Sequence, residues 1–169
     1  PSVQYLLLVN DKERAGWLSF NKQFQEFSDT LARPTGDDAP KNTDIMQMYF
    51  TSGTTGMPKS VCHNYIHPLG HIVTAKYWQQ VQENKLHLSV TDSGWAKFGW
   101  GKIYGQWICG ATIFAHDYIR FDAKKLLSVI EKYRITTFCA PPTMYRMLIK
   151  EDLSQYDLSS IEYATTAGE

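Results

Sequence analysis

Residues 51–59 of this 169-residue chain read Thr51-Ser52-Gly53-Thr54-Thr55-Gly56-Met57-Pro58-Lys59. The residues before them, 45–50, are mostly apolar and β-prone, which predicts a strand that runs into a loop of small residues. Glycines let the backbone approach a ligand closely, while the hydroxyl groups and the lysine add hydrogen-bond donors and positive charge. Backbone N–H groups gathered around one point form a nest that suits a polyphosphate. We therefore predict a phosphate-binding loop, followed by a returning strand at residues 60–63.

The order of residues in this loop differs from that of a Walker-type P-loop. A Walker loop requires a glycine directly before the lysine, whereas Met57 and Pro58 separate Gly56 from Lys59. Composition alone leaves a second interpretation open, a surface loop rich in serine, threonine and glycine that binds no ligand.

Further blocks of sequence follow the loop. They read Thr91-Asp92-Ser93-Gly94-Trp95, Tyr104-Gly105-Gln106-Trp107, Phe138-Cys139-Ala140-Pro141-Pro142-Thr143-Met144-Tyr145-Arg146 and Thr166-Ala167-Gly168-Glu169. With the loop, these blocks resemble the AMP-forming acyl-activating (adenylate-forming) superfamily, and within it the medium-chain acyl-CoA synthetases. The resemblance covers nearly the whole chain. It implies that residues 1–169 are an internal piece of the large N-terminal, ATP- and acyl-binding domain, without the C-terminal domain.

The resemblance also implies roles for individual residues. The loop residues that would contact ATP phosphates are Thr51, Ser52, Gly53, Thr54, Thr55 and Gly56, and Lys59 would add catalytic positive charge beside the leaving pyrophosphate. Gly168 and Glu169 would contribute to the adenine and ribose pocket. Trp95 and Trp100 would contact the acyl group, and Trp100 is the preferred residue for limiting its length. Packing is the alternative role for Trp95. For Lys102 we expect a solvated charge, and a role facing the substrate carboxylate is the alternative.

The implied reaction joins ATP and a short- to medium-chain carboxylic acid, giving acyl-AMP and pyrophosphate. Coenzyme A then takes the acyl group, so ATP, Mg²⁺ and CoA are the implied co-substrates. The 169 residues lack the family's Mg²⁺-binding glutamate, its ribose-binding aspartate and its C-terminal catalytic lysine, so we expect no turnover from this piece alone. Two alternatives remain: a nucleotide-binding or interaction module without turnover, and a sibling enzyme that acylates a carrier-protein thiol.

Charge and cysteine content restrict the remaining functional classes. Seventeen basic and seventeen acidic residues give no net charge, which offers no basis for binding nucleic acid or an anionic membrane. The chain has no apolar run near the roughly 18 residues that span a bilayer. Three separated cysteines without C-x-x-C spacing predict buried, reduced thiols and a cytoplasmic location. His63, His67 and His71 recur every four residues, but two imidazoles on one helix do not complete a zinc site, so we predict no metal centre.

Periodicity predicts an α/β fold with a mixed, largely parallel sheet and helical crossovers. The predicted strands cover residues 3–9, 45–50, 60–63, 86–90, 111–115, 135–140 and 161–166. The predicted helices cover residues 17–31, 65–80, 102–108 and 143–150, and a further helix is capped by Asp122. In the helix at 65–80, the apolar side chains share one stripe: Ile66, Leu69, Val73 and Tyr77. In the helix after Asp122, they are Leu126, Leu127, Ile130 and Tyr133.

Overall fold

The computed structural model describes residues 3–9, 12–52 and 56–168, which fall into two units, residues 1–40 and 41–169. In the first unit, strands β1 (Leu7–Leu8) and β2 (Leu18–Ser19) pair in parallel, and helix α1 (Phe20–Gln23) continues into a 3₁₀ turn. The predicted helix at 17–31 is therefore wrong beyond its first turns. Phe27 and Leu31, expected on its buried face, are 75% and 92% exposed. A short helix without a packed face is only marginally stable.

The second unit begins with the predicted hairpin. Strand β3 (Ile45–Thr51) pairs antiparallel with β4 (Lys59–Asn64), and Thr51 lies opposite Lys59. Both strands were predicted from sequence and are confirmed.

Helix α2 (His67–Val73) follows, and it extends as a π-helical turn from Thr74 to Trp78. Pro68 lies in the first turn, where a missing N–H costs no hydrogen bond. The predicted apolar stripe is nevertheless exposed, with Ile66 at 47%, Leu69 at 55%, Val73 at 61% and Tyr77 at 67%.

A four-stranded parallel sheet forms the centre of this unit. Its strands are β5 (Leu86–Ser89), β6 (Thr112–Ile113), β7 (Thr137–Ala140) and β8 (Tyr163–Thr166), in the order β6-β5-β7-β8. The crossovers are α3 (Ala96–Phe98) with a π-helical turn (Gly99–Ile103) and α4 (Tyr104–Ile108), then α5 (Ala123–Tyr133) and α6 (Pro142–Leu148). The predicted fold class is confirmed.

The core lies where α5 and α6 pack on this sheet. Its buried side chains are Leu88, Val90, Leu126, Leu127, Ile130, Ile135, Phe138, Ala140 and Leu148. Asp122 caps α5 as predicted, because its Oδ1 accepts a hydrogen bond of 3.1 Å from the Lys125 amide. Tyr133 departs from the prediction and is 45% exposed.

Two further observations concern cysteines and membranes. Cys139 is buried and Cys109 partly so, but Cys62 is exposed on the edge of the hairpin, which corrects the expectation of three buried thiols. None of the helices within the described ranges combines the length and apolar character needed to cross a bilayer.

Candidate functional site

The predicted phosphate loop connects β3 to β4. Thr51 and Ser52 at its start and Lys59 at its end are exposed, and the Thr51 hydroxyl donates a hydrogen bond of 3.5 Å to the Lys59 carbonyl. Gly56 has a φ of +89°, a left-handed conformation that favours glycine. Lys59 has no carboxylate partner in the part of the chain that the structure describes, so its ammonium group is available to an anion. Gly53, Thr54 and Thr55 lie outside the described residues.

The hairpin rests on the helical segment that follows β5. The Tyr104 hydroxyl donates a hydrogen bond to Gln47 Oε1, and the Tyr49 hydroxyl donates a second one of 3.2 Å to the same oxygen. A Cβ at Gly99 would lie 2.7 Å from the Tyr104 ring and 3.1 Å from the Tyr49 hydroxyl, so only glycine fits there without a shift. These contacts fix the loop-bearing hairpin against residues 99–104.

The carboxyl ends of the parallel strands bring two of the sequence blocks together. After β5, the chain turns at residues 92–95, where Asp92 Oδ1 accepts the Gly94 amide at 2.7 Å. From the next helix, Lys97 donates a hydrogen bond of 2.6 Å through Nζ to the Ala167 carbonyl, just beyond β8. The block around Gly168 is thus attached to the segment after β5. Both lie beyond the carboxyl ends of parallel strands, which is where ligands bind in open α/β sheets. Glu169 lies outside the described residues.

Lys97 itself was missed by the sequence reasoning. Its side chain is only 8% exposed, and burial lowers the pKa of the ammonium group, although the neighbouring Cys139 thiol acts in the opposite direction. A lysine beside an exposed turn gave no signal of burial.

The two candidate acyl-contacting tryptophans lie in different surroundings. Trp95 is 68% exposed at the turn after β5. Trp100 is partly buried, and its ring centroid lies 6.1 Å from that of His71 and 6.1 Å from that of Trp78. The structure therefore places Trp100 between the two helical segments, whereas Trp95 projects from the turn.

The three histidines at four-residue spacing lie in a row, with a tilted contact between His63 and His67 and an edge-to-face contact between His67 and His71. The ring centroids of His63 and His67 are 3.8 Å apart, and those of His67 and His71 are 4.5 Å apart. The Thr74 hydroxyl donates its proton to the His71 carbonyl, so it accepts a hydrogen bond of 3.4 Å from His71 Nδ1, to which we therefore assign a proton. His71 Nε2 then carries no proton and accepts a hydrogen bond of 3.1 Å from His67 Nε2. Burial, followed by repulsion between the rings, lowers the pKa of His67 and of His71. Within the described residues no cluster of three potential metal ligands is present.

A buried polar network, which the sequence did not predict, joins β5 to the π-helical turn at Gly99–Ile103. His87 donates through Nε2 to the Gly101 carbonyl at 3.2 Å and accepts at Nδ1 from the Thr137 hydroxyl at 2.9 Å, a tautomer assigned from these partners. Gln79 Nε2 donates to the same Gly101 carbonyl at 2.8 Å. Burial lowers the pKa of His87 to about 4, so the imidazole is neutral at pH 7. The network fixes the turn that carries Trp100.

Lys102, expected as a solvated charge, is instead only 7% exposed. Its Nζ lies 5.5 Å from the centroid of the Phe98 ring, and burial lowers the pKa of the ammonium group. The physical reason is its position on the inner face of the π-helical turn, a register that ordinary helical spacing does not predict.

The sequence and the fold both match known adenylate-forming proteins. The AMP-binding enzyme family matches residues 2–169. Human mitochondrial acyl-coenzyme A synthetase ACSM5 is 38% identical over 170 positions, which cover 100% of this chain and 28% of the relative. Human mitochondrial acyl-coenzyme A synthetase ACSM4 is 37% identical over 171 positions, which cover 100% of this chain and 29% of the relative. The chain therefore spans less than a third of the length of these curated relatives.

Two solved structures of similar fold also belong to enzymes that are named as CoA ligases or acyl-CoA synthetases. The fold is similar to that of the anthranilate CoA ligase AuaEII, crystallised in complex with anthranoyl-AMP, with a TM-score of 0.84 and 25% identity; the match covers 100% of this chain and 32% of that one. An acyl-CoA synthetase from Brucella canis has the same fold, with a TM-score of 0.81 at 20% identity over 97% of this chain and 29% of that one.

These relatives overturn one expectation and confirm another. ACSM5 and ACSM4 are both named as mitochondrial, so the predicted cytoplasmic location is wrong. The prediction rested on reduced thiols, which are compatible with any reducing compartment and do not single out the cytoplasm. The resemblance to the adenylate-forming superfamily, read from the loop and the blocks after it, is confirmed by the match over residues 2–169. The chain belongs to the AMP-binding enzyme family.

Proposed function

We propose that the protein to which this chain belongs is an AMP-forming acyl-CoA synthetase. It activates a carboxylic acid with ATP and then transfers the acyl group to the thiol of coenzyme A. The observation that carries the proposal is the loop between β3 and β4, where Thr51, Ser52 and Lys59 lie exposed at the end of a hairpin and Lys59 has no carboxylate partner among the described residues. The similarity to synthetases of this family along the whole chain supports it.

In the first step, an oxygen of the substrate carboxylate attacks the α-phosphate of ATP. A bond forms between that oxygen and phosphorus, the bond to the β-phosphate oxygen breaks, and pyrophosphate leaves. Negative charge grows on the leaving pyrophosphate, and the loop hydroxyls, the loop amides and Lys59 stabilise it. In the second step, the thiolate of coenzyme A attacks the acyl carbonyl carbon, and AMP leaves.

Gly168 and Glu169 belong to the proposed adenine and ribose side of the site. Lys97 supports that side indirectly, because its hydrogen bond to the Ala167 carbonyl fixes the chain just before Gly168. ATP is used as its magnesium complex in this proposal. The described residues contain no group of three side chains placed to hold a metal, so we assign no magnesium ligand and derive no step through the ion.

For the acid, we propose a short- to medium-chain fatty acid. Trp100 lies on the π-helical turn at Gly99–Ile103, and its ring packs between those of His71 and Trp78. A bulky side chain held on both sides limits the length of an acyl chain that meets it, whereas the exposed Trp95 contacts the acid near its carboxylate. We further propose a mitochondrial location, after the named relatives. Residues 1–169 would form part of a larger ATP- and acyl-binding domain.

The test is acid-dependent exchange of pyrophosphate into ATP by the full-length protein, with acids from acetate to decanoate. Lys59→Met should lower the exchange rate by about 100-fold, as expected when one preorganised charge is lost. The matched control is Lys150→Ala, because Lys150 is an exposed lysine just after α6 and outside the proposed site, so this variant should leave the rate unchanged.

Other outcomes identify the alternatives. Binding of ATP without any exchange would identify a nucleotide-binding module and refute the enzyme. Exchange without acyl transfer to coenzyme A, together with acylation of a carrier-protein thiol, would identify the sibling reaction. We expect the 169-residue chain by itself to show no exchange, because the family's Mg²⁺-binding glutamate, ribose-binding aspartate and C-terminal catalytic lysine are not among these residues.

A further inference from the structure

A cavity lies beside the helical segment after β5, and none of the described residues of the phosphate loop lines it. Its volume is about 580 Å³, which is in the size class of small-molecule sites. The residues that line it and matter here are Asp92, Phe98, Lys102, Trp107, Asp117 and Tyr118. Neither Trp95 nor Trp100, the proposed acyl contacts, is among its lining residues.

Lys102 is the unusual member of this lining. The side chain is more than nine-tenths buried, yet its only recorded interaction among the described residues is with the Phe98 ring, 5.5 Å from Nζ. The other buried lysine, Lys97, donates a hydrogen bond to a carbonyl. Lys102 Nζ is not among the fully buried polar atoms that lack a partner, so it opens on the cavity while the rest of the side chain is covered. A positive charge in these mostly apolar surroundings attracts an anion more strongly than a charge in open water does.

The remaining walls restrict the kind of anion. Phe98, Ile103 and Trp107 give the cavity an apolar and aromatic surface, which suits a hydrocarbon or an aromatic ring. Asp92 and Asp117 also line it and are exposed, so they place negative charge at its opening. Two carboxylates repel a phosphate with two negative charges more strongly than an anion with one.

We propose that this cavity binds a monocarboxylic acid, with the carboxylate on Lys102 and the apolar part against Phe98, Ile103 and Trp107. The site is separate from the loop that we assign to ATP, and it does not depend on the proposed function. The acid bound here is a ligand and is not activated, because no described residue of the Thr51–Lys59 loop contributes to the lining.

The experiment measures binding to the full-length protein without ATP, by calorimetry and by NMR. The probes are benzoate, its uncharged counterpart benzyl alcohol, and inorganic phosphate. Methyl groups of Ile103 and Ile113 line the cavity, so their NMR shifts report whether a probe binds there. Benzoate should shift both methyl groups and bind more tightly than phosphate.

Three variants make the test specific. Lys102→Met should weaken benzoate binding about 10- to 100-fold, the value of a hydrogen bond to a charged group, and should leave benzyl alcohol unaffected. Lys132→Met is the matched control, because Lys132 also lies over a ring, 5.0 Å from the centroid of Tyr133, but is exposed. Asp117→Asn should tighten benzoate binding about two- to fivefold by removing a like charge at the opening.

Several results would overturn the proposal. One is benzoate that binds Lys102→Met as tightly as it binds the wild type, and another is benzoate that produces no shift of Ile103 and Ile113 at millimolar concentration. A third is phosphate that binds more tightly than benzoate and depends on Lys102, which would identify a phosphate site instead. If Lys102→Met did not fold, Asp117→Asn would decide, because unchanged benzoate affinity in that variant contradicts the proposed charge arrangement. Pyrophosphate exchange tests the proposed function separately and is unaffected by any of these outcomes.

Discussion

Replacing Gly105 with alanine should destabilise the second unit through the contact between α2 and α4. A Cβ atom built on Gly105 would lie 2.1 Å from the His71 carbonyl oxygen, 2.6 Å from its carbonyl carbon and 2.8 Å from the Ala75 Cβ. Real Cβ atoms essentially never approach another heavy atom closer than 3.0 Å. Two of the three atoms belong to the backbone of α2, so no side-chain rotation relieves the clash and the helices have to move apart.

Two opposing effects determine the size of the loss. Alanine is the better helix former by about 0.8–1.0 kcal/mol, which favours the variant. Forcing an extra methyl group into a packed contact typically costs about 1–3 kcal/mol, and a clash with backbone belongs at the upper end of that range. The net effect is a free energy of unfolding lower by about 2 kcal/mol, a large share of the about 5–15 kcal/mol typical of a folded protein.

Gly70→Ala is the matched control. Gly70 also lies within a helix, α2, but a Cβ built there meets nothing within 4 Å, so that variant should gain about 0.5–1 kcal/mol. Urea unfolding followed by tryptophan fluorescence measures both variants, because Trp78 and Trp100 lie beside the contact. Gly105→Ala should lower the urea midpoint by about 1 M. A midpoint equal to that of Gly70→Ala or above it would refute the close approach of the helices.

Three further predictions test other parts of the structure. Asp122→Ala should lower the free energy of unfolding by about 1 kcal/mol, because the Lys125 amide loses its cap, and Asp122→Asn should retain most of it in the same urea assay. The pKa of His87 is lowered to about 4 in the folded protein, from its usual value of 6.5. As the pH falls, the imidazole of the unfolded chain therefore binds a proton at a higher pH than the imidazole of the folded chain. Stability should therefore fall by about 3 kcal/mol as the pH decreases from 6.5 to 4, and His87→Gln should flatten this dependence in urea titrations at each pH. Cys62 should react rapidly with a thiol reagent in the native protein, and Cys139 only after unfolding, as mass spectrometry of labelled peptides would reveal.

The sequence predicted well those features that depend on neighbouring residues. The apolar run before Thr51 and the small residues after it predict a strand and a loop, and the hairpin of β3 and β4 has this form. The alternation of short apolar strands with helical segments predicts the parallel sheet. Asp122 before a stripe of leucines predicts a capped helix, because the cap and the first turn are only three residues apart. In these cases, the interaction that stabilises the element lies within or next to the element.

Features that depend on distant residues were missed. His87 lies on β5, and its partners are Thr137 on β7 and the carbonyl of Gly101, 50 and 14 residues away. A central parallel strand is covered on both faces, so even its polar positions are buried, but only the strand order identifies β5 as central. For the same reason, the burial of Lys97 was missed, and Lys102 was expected to be solvated although both lysines are buried. The sequence therefore showed where along the chain the candidate site lies, but it did not show which charged groups are buried in that site.

Helix α2 illustrates why periodicity alone does not identify the buried face. The spacing of Ile66, Leu69, Val73 and Tyr77 correctly indicates side chains that share one side of a helix, yet all four are exposed. Helix α4 instead packs against the opposite side of α2, at Ala75 and the backbone of His71, because Gly105 allows the two helices to approach closely there. Large side chains cannot enter a contact this short, so the close approach selects the face with the smallest residues. A hydrophobic stripe indicates which residues lie on the same side of a helix, whereas the position of the partner helix determines whether those residues are buried.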